Sequence, residues 1–227
     1  MMQWLQLKWQ VVDSLLPFLL TGLQSTFEIS IIAIICGSLL GAVLGILKTL
    51  DSTVLRIFIN TYLHVFRGTP YLVQLYLIYF VLPSLGIAAL EFDSFSAAVI
   101  SLSLYTASYV TAIVASAVHA VPPGQEEAAR SCGMSKAQAL FYVVVPQALK
   151  LTIPPMASVY VIVIKSTAVL SVIGISELTR QGETSILRMP GDTMFIYGLI
   201  AALYFAYCYP VLRFASWAES KVGDKAL

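Results

Sequence analysis

Apolar runs long enough to cross a bilayer recur along this chain. From Leu19 to Leu47 the only charged side chain is Glu28. A helix needs about 20 apolar residues to span the hydrocarbon layer. Inside lipid every backbone polar group must be bonded within the protein, so such a chain folds as a bundle of spanning helices. Composition agrees: 59% of residues are hydrophobic and 11% charged, against about 25% charged in a soluble domain. The mean hydropathy is +0.85. The formal net charge of +1 leaves no basic face for phosphates, which excludes nucleic acid as a partner.

The chain reads as all-α, a single polytopic membrane domain over residues 1–227. Five transmembrane helices fall at about 19–47, 56–82, 95–118, 154–173 and 194–217. In the first, Gly37, Gly41 and Gly45 share one face and invite close approach of another helix, within the subunit or across a subunit interface. The second is interrupted by Arg67-Gly68-Thr69-Pro70, where Thr69 suits an N-cap and Pro70 a first helical turn. The helix that follows ends before Pro83 after roughly 20 Å, short of a ~30 Å core. Pro122-Pro123 closes the third span, and Pro154-Pro155 opens the fourth. The fifth carries Tyr204, Phe205, Tyr207 and Tyr209 before Pro210. The cysteines Cys36, Cys132 and Cys208 form no pair motif and read as buried apolar fillers. The start does not read as a cleaved signal, because Lys8 is its only basic residue and no small-x-small site follows. Trp4 and Trp9 around Lys8 suit a segment at headgroup level.

Basic residues set orientation. With the N-terminus outside and the C-terminus inside, Lys48, Arg56, Arg67, Arg130, Lys136, Lys150, Arg213, Lys221 and Lys225 are cytoplasmic. Only Lys8, Arg180 and Arg188 are then outside, and Lys165 falls within a span. The loop over 119–150 is therefore cytoplasmic. In it, Gly124 to Gly133 reads as a short helix with a Glu127–Arg130 pair one turn apart. Gly133 suits a left-handed C-terminal cap. Ser135 to Gln138 fits a capping box that starts a second helix, which Pro146 disrupts or ends. Two readings fit this elbow: a docking element for a partner's groove, or a hairpin covering the ends of the spans.

Glu127-Ala128-Ala129, then Gly133, then Val143, Val145 and Pro146 resemble the loop that marks membrane subunits of ATP-binding-cassette importers. Val143 and Val145 stand where that family more often has Ile and Leu. Arg67-Gly68-Thr69-Pro70 with Val73-Gln74 is similar to the second span of the polar amino-acid permeases. Lys165-Ser166-Thr167, Ser171 to Gly174 and Glu177-Leu178 are similar to their fourth span. The resemblance implies ATPase coupling through Glu127, Ala128, Ala129, Gly133, Val143 and Pro146. It also implies a second permease subunit, identical or not, a cytoplasmic ATPase dimer and an extracytoplasmic amino-acid-binding protein. No cofactor is expected on this chain, since no phosphate-cradling G-x-x-x-x-G-K-[ST] stretch exists and ATP and Mg belong to the partner ATPase. One departure stands out. Relatives usually place a Glu and an Arg three and six residues after the third-span tyrosine, where this chain has Ala112 and Ala115 after Tyr109. Loss of both partners leaves no lone charge. It fits drift within a subfamily, or a companion subunit that keeps the pair.

Substrate-pathway candidates are Lys165, Ser166, Thr167, Gln74 and Tyr109, with Ser108 and Thr111 weaker. Counted from Pro154, Lys165 is roughly 16 Å deep. A lysine at such a depth faces a cavity or an acidic partner. His64 and His119 have no metal-ligand companions and read as interfacial. Alternatives are a permease for another small polar solute, an ion-coupled secondary transporter or a membrane enzyme. The transporter would show inverted repeats and acids within spans, and the enzyme a cluster of His, Cys or carboxylates.

Overall fold

A computed structural model describes residues 2–223 and, within them, the side chains of Gln6 and residues 8–220. The described residues are mostly helical, joined by short turns, with no strand among them. The main helices are α1 (Met2–Lys48), α2 (Thr53–Gly68), α3 (Tyr71–Tyr76), α4 (Ser94–Ala120), α5 (Pro123–Ser131), α6 (Lys136–Ala139), α7 (Val145–Ser166), α8 (Leu178–Arg188) and α9 (Thr193–Gly223). Four stretches are long and apolar enough to cross a membrane, and the bent α2–α3 pair makes a fifth.

The glycine stripe decides how the bundle packs. A methyl group at Gly37 would lie 2.5 Å from Thr106 Cβ and 2.7 Å from the Ser103 carbonyl oxygen. At Gly41 the same test meets Val110 Cβ at 2.6 Å and the Ala107 oxygen at 2.8 Å, and at Gly45 it meets Val114 Cβ at 2.6 Å. The stripe therefore seats α4 directly on the backbone of α1, within the subunit. Ile29, Ala33, Leu102, Val159 and Val163 carry that core on to α7. Lipid supplies no hydrophobic drive between helices, so this close packing is what holds them.

Helix α1 is longer than the span expected over 19–47. Its 47 residues run without a break through Pro17, roughly 70 Å at 1.5 Å per residue. The N-terminal stretch continues that helix, and Lys8 is ion-paired to Asp192 beside α9. Trp9 is exposed, while the Trp4 side chain lies outside the described residues. The side chains of Lys221 and Lys225 lie outside them too.

The break at residues 67–70 is present and turns the chain by 109°. Its capping differs from the expectation. Pro70, not Thr69, is the N-cap of α3. The Thr69 hydroxyl donates back to the Val65 carbonyl at 2.7 Å and so closes the end of α2. A π-helical turn over Leu77–Val81 then delivers the Leu82 N–H to the Leu77 oxygen at 2.9 Å, just before Pro83. The same arrangement recurs over Leu140–Val144, where the Val145 N–H meets the Leu140 oxygen just before Pro146. A proline has no N–H and its ring crowds the carbonyl four residues back. A wider π turn ahead of it relieves both. Pro146 therefore does not end a helix: it stands in the first turn of α7. Pro154 and Pro155 likewise lie inside α7, not at its start. Counted from Val145, Lys165 is roughly 30 Å along the helix, in its last turn. The third span agrees with expectation, with Asp93 capping α4 through the Ser96 N–H at 3.0 Å. Of the cysteines, only Cys208 is buried. Cys36 is on the outer face of α1 beside exposed Ile32, Ile35 and Leu39, and Cys132 is in the elbow.

Candidate functional site

Two features stand out from the packed bundle: the elbow between α4 and α7, and a polar cleft between α2 and α4. The elbow starts at Pro122-Pro123, which fixes the first turn of α5. At its end Gly133 has φ +90°, with the Met134 N–H returning to the Ala129 oxygen at 3.2 Å. This is the left-handed cap expected of Gly133. The Ser135–Gln138 capping box is present: the Gln138 N–H reaches Ser135 Oγ at 3.3 Å and the Ser135 N–H reaches Gln138 Oε1 at 2.8 Å.

One apolar face anchors the elbow. Val118, Val121, Val144 and Ala148 pack together with Leu140 against the end of α4. Ala129 is buried, Val143 is half-buried, and Glu127, Ala128, Gly133 and Pro146 are exposed. The expected Glu127–Arg130 pair is not made, so the Glu127 carboxylate stays open to solvent. Lys136 instead pairs with Asp51 in the α1–α2 turn, and its bond and charge hold the Asp51 carboxyl below the usual carboxylate range. Phe141 and Tyr142 stand exposed on the same elbow, Tyr142 at 74%. Large aromatics exposed beside small residues mark a surface that something else covers. The sequence reading missed both; a π turn rotates them outward, and no local pattern announces that rotation.

The cleft, of about 630 Å³, is lined by Asn60, His64 and Arg67 of α2, Tyr109, Ala112, Ser116 and His119 of α4, and Lys48 at the end of α1. The Arg67 guanidinium is 5.2 Å from the centre of the Tyr109 ring. Tyr109 is thus the one pathway candidate placed here. Gln74 is buried at the α2–α3 corner, where its amide donates to the Phe66 oxygen at 2.8 Å and to the Thr69 oxygen at 3.0 Å. It holds the bend together. Ser166 and Thr167 turn back to the Ile162 and Ile164 oxygens at 2.9 and 2.7 Å. Ser108 and Thr111 likewise bond their own helix. Lys165 is exposed on α7, outside the cleft, with no carboxylate in bonding reach among the described residues. The cleft face was legible as two runs at helical spacing, 60-64-67 and 109-112-116-119, which the reading did not join.

Glu177 has a structural task. It is fully buried and caps α8, accepting from the Thr179 and Arg180 N–H groups at 2.7 Å each and from the Tyr204 hydroxyl at 3.1 Å. Burial pushes its carboxyl above the ordinary range. The neighbouring Leu178 N–H goes to Thr26 Oγ1 on α1 at 3.2 Å.

Residues 33–222 match the family described as binding-protein-dependent transport system inner membrane component. The chain belongs to that family. Among its relatives, the glutamine transport system permease protein GlnP of Escherichia coli (strain K12) is 33% identical over 200 residues, covering 88% of this chain and 90% of GlnP. The L-cystine transport system permease protein TcyB of Bacillus subtilis (strain 168) is 32% identical over 202 residues, covering 88% of this chain and 85% of TcyB. A crystal structure of an amino acid ABC transporter with histidines superposes with a TM-score of 0.83 at 33% identity, covering 93% of this chain and 97% of that one. The fold is therefore that of an ABC transporter permease, and the resemblance carried by the elbow and second-span motifs holds over nearly the whole chain.

Proposed function

We propose that this chain is the membrane-spanning subunit of an ATP-driven amino-acid importer in the bacterial cytoplasmic membrane. Its N-terminus is outside, and residues 119–150 form a cytoplasmic coupling loop. Two such subunits enclose the pathway. A pair of cytoplasmic ATPases, which bind ATP and Mg, holds the two elbows, and an extracytoplasmic binding protein presents the amino acid. The observation that carries this reading is the elbow itself: Glu127, Ala128 and Gly133 are exposed at a rigidly capped bend that the rest of the chain leaves uncovered.

The mechanism follows from that geometry. The elbow is continuous with α7 through the turn ahead of Pro146 and rests on the end of α4. A push on its outer face is therefore delivered to two spans at once. Val143 and Pro146 are at this joint. Closure of the ATPases shifts the spans between inward-open and outward-open states only by binding those states unequally. Lys165 belongs to the pathway or to the second subunit, since an exposed ammonium on an apolar helix turns away from lipid. Identity of the relatives with glutamine and cystine permeases supports an amino acid as cargo.

Reconstitution tests the reading. The complex extracted in mild detergent is placed in vesicles, and uptake of labelled amino acids is followed with and without ATP on the elbow side. ATP-dependent uptake without an ion gradient is expected. Uptake by the isolated chain driven by an ion gradient alone contradicts it.

A further inference from the structure

Helix α9 sets where one membrane boundary falls. The stretch from Thr193 to Leu212 carries no charged side chain. At 1.5 Å per residue it is roughly 30 Å long, the thickness of the hydrocarbon layer. Asp192 therefore stands at one edge of that layer, and Lys8, its ion-pair partner from α1, stands with it. The pair is partly buried, and the Lys8 ammonium also lies 5.4 Å from the centre of the Phe195 ring. Exposed Trp9 beside it suits headgroup level. From the pair a cavity of about 620 Å³ runs along α9 past Met194, Phe195, Gly198 and Leu199. A methyl group at Gly198 would meet nothing within 4 Å, and Met194 is 90% exposed. The cavity thus has an ionic mouth at the boundary and an apolar body deeper in.

We propose that this cavity binds a phospholipid whose headgroup carries both a phosphate and a primary ammonium, with one acyl chain lying along Gly198 and Leu199. The inference goes beyond the importer reading and needs only the membrane class. The lining follows the order of a lipid: ions at the boundary, apolar side chains and an absent side chain below them. The volume falls within the ~300–1,000 Å³ of small-molecule sites, room for a headgroup and the upper part of a chain. Basic pockets between membrane helices hold lipid headgroups in this way. Charge then selects among headgroups. The Lys8–Asp192 bond engages only one oxygen of the carboxylate, which offers about four acceptor positions in all. Asp192 can therefore accept from a lipid ammonium while the Lys8 cation attracts the phosphate, so that the two zwitterions alternate in charge. An anionic headgroup loses beside Asp192 what it gains beside Lys8. A quaternary ammonium has no N–H to give the carboxylate. Met194, unbranched and flexible, closes over the chain at the lipid side.

The test titrates the detergent-extracted complex, stripped of lipid, with phosphatidylethanolamine, phosphatidylcholine and phosphatidylglycerol of identical acyl chains, and counts bound lipid by native mass spectrometry. Phosphatidylethanolamine is expected to fill one site per chain at least about threefold more tightly than either of the others, as one further hydrogen bond predicts. Asp192→Ala should bring the phosphatidylethanolamine-to-phosphatidylcholine ratio close to one and favour phosphatidylglycerol, because the Lys8 cation is then uncancelled. Gly198→Leu leaves the ion pair in place and fills the cavity, so it should weaken binding of all three lipids while the protein still elutes as a single species. Equal binding of the three lipids by the unmodified chain, which is adventitious annular lipid only, overturns the proposal. So does a headgroup order unchanged in Asp192→Ala, or an affinity unchanged in Gly198→Leu. The importer reading fails separately, if the extracted complex contains no ATPase.

Discussion

The α1–α4 seam and the elbow are both built on glycine and alanine, yet they use these residues in opposite ways. At Gly37, Gly41 and Gly45 the absent side chain is replaced by a neighbouring helix, with backbone oxygens and β-carbons 2.5 to 3.0 Å from where a methyl would stand. At Gly133 nothing stands within 4 Å, and the glycine is needed for its φ of +90°. A side chain at 133 would therefore meet no atom of this chain. Small residues at the seam serve internal packing, whereas small residues at the elbow leave room for something outside the chain. The same composition thus carries two different tasks, and only the surroundings separate them.

That contrast can be broken by substitution. The largest effect is expected from Gly41→Leu, which has no free direction because the Ala107 oxygen and Val110 both block it. Overpacking against backbone should cost about 3 kcal/mol or more, seen as loss of the monodisperse peak when detergent extracts are run on a sizing column. Glu177→Ala comes next. It strands two N–H groups beside a fully buried position and leaves the Tyr204 hydroxyl with Thr179 alone, at a cost of about 3 kcal/mol. A clear fall in the unfolding temperature of the extracted protein is expected. Gly133→Asp should cost only about 1 kcal/mol in backbone strain and leave the elution profile intact, while transport-linked ATP hydrolysis is lost. Asp51→Asn should leave the unfolding temperature unmoved, because the pair with Lys136 is exposed on both sides. The Asp51 carboxyl is held below its usual range. This tether is therefore complete at neutral pH and is lost only as the pH falls through that lowered value. If Gly133→Asp unfolds the protein while Gly41→Leu does not, the contrast between seam and elbow is wrong.

The sequence made the membrane class, the five apolar stretches and the bend at residues 67–70 readable, because hydropathy and proline act locally. The left-handed Gly133 and the Ser135 capping box were readable for the same reason. Helix ends near prolines were not. Pro146 and Pro154-Pro155 appear to local rules as breaks, yet π turns and neighbouring helices absorb them within α7. Side-chain partners were the least legible. Gln74, Ser166 and Thr167 each donate to a carbonyl of their own turn or corner, while the buried Gln74 Oε1 has no partner among the described residues. The cleft residues come from three helices, so their meeting depends on the α1–α4 seam and on the packing of α2 against α4 that sets Arg67 over Tyr109. No single stretch of sequence contains that information.

Cys132 offers the most direct test of the central claim, that the elbow is gripped by an ATPase. It is exposed beside Gly133, and Cys36 and Cys208 can be replaced to leave it as the sole thiol. A short photo-activated maleimide placed there in intact membranes should crosslink to an ATP-binding subunit, and the yield should change when nucleotide is added. Labelling of Cys132 from the extracytoplasmic side, or crosslinks only to lipid and to this chain itself, would contradict the account.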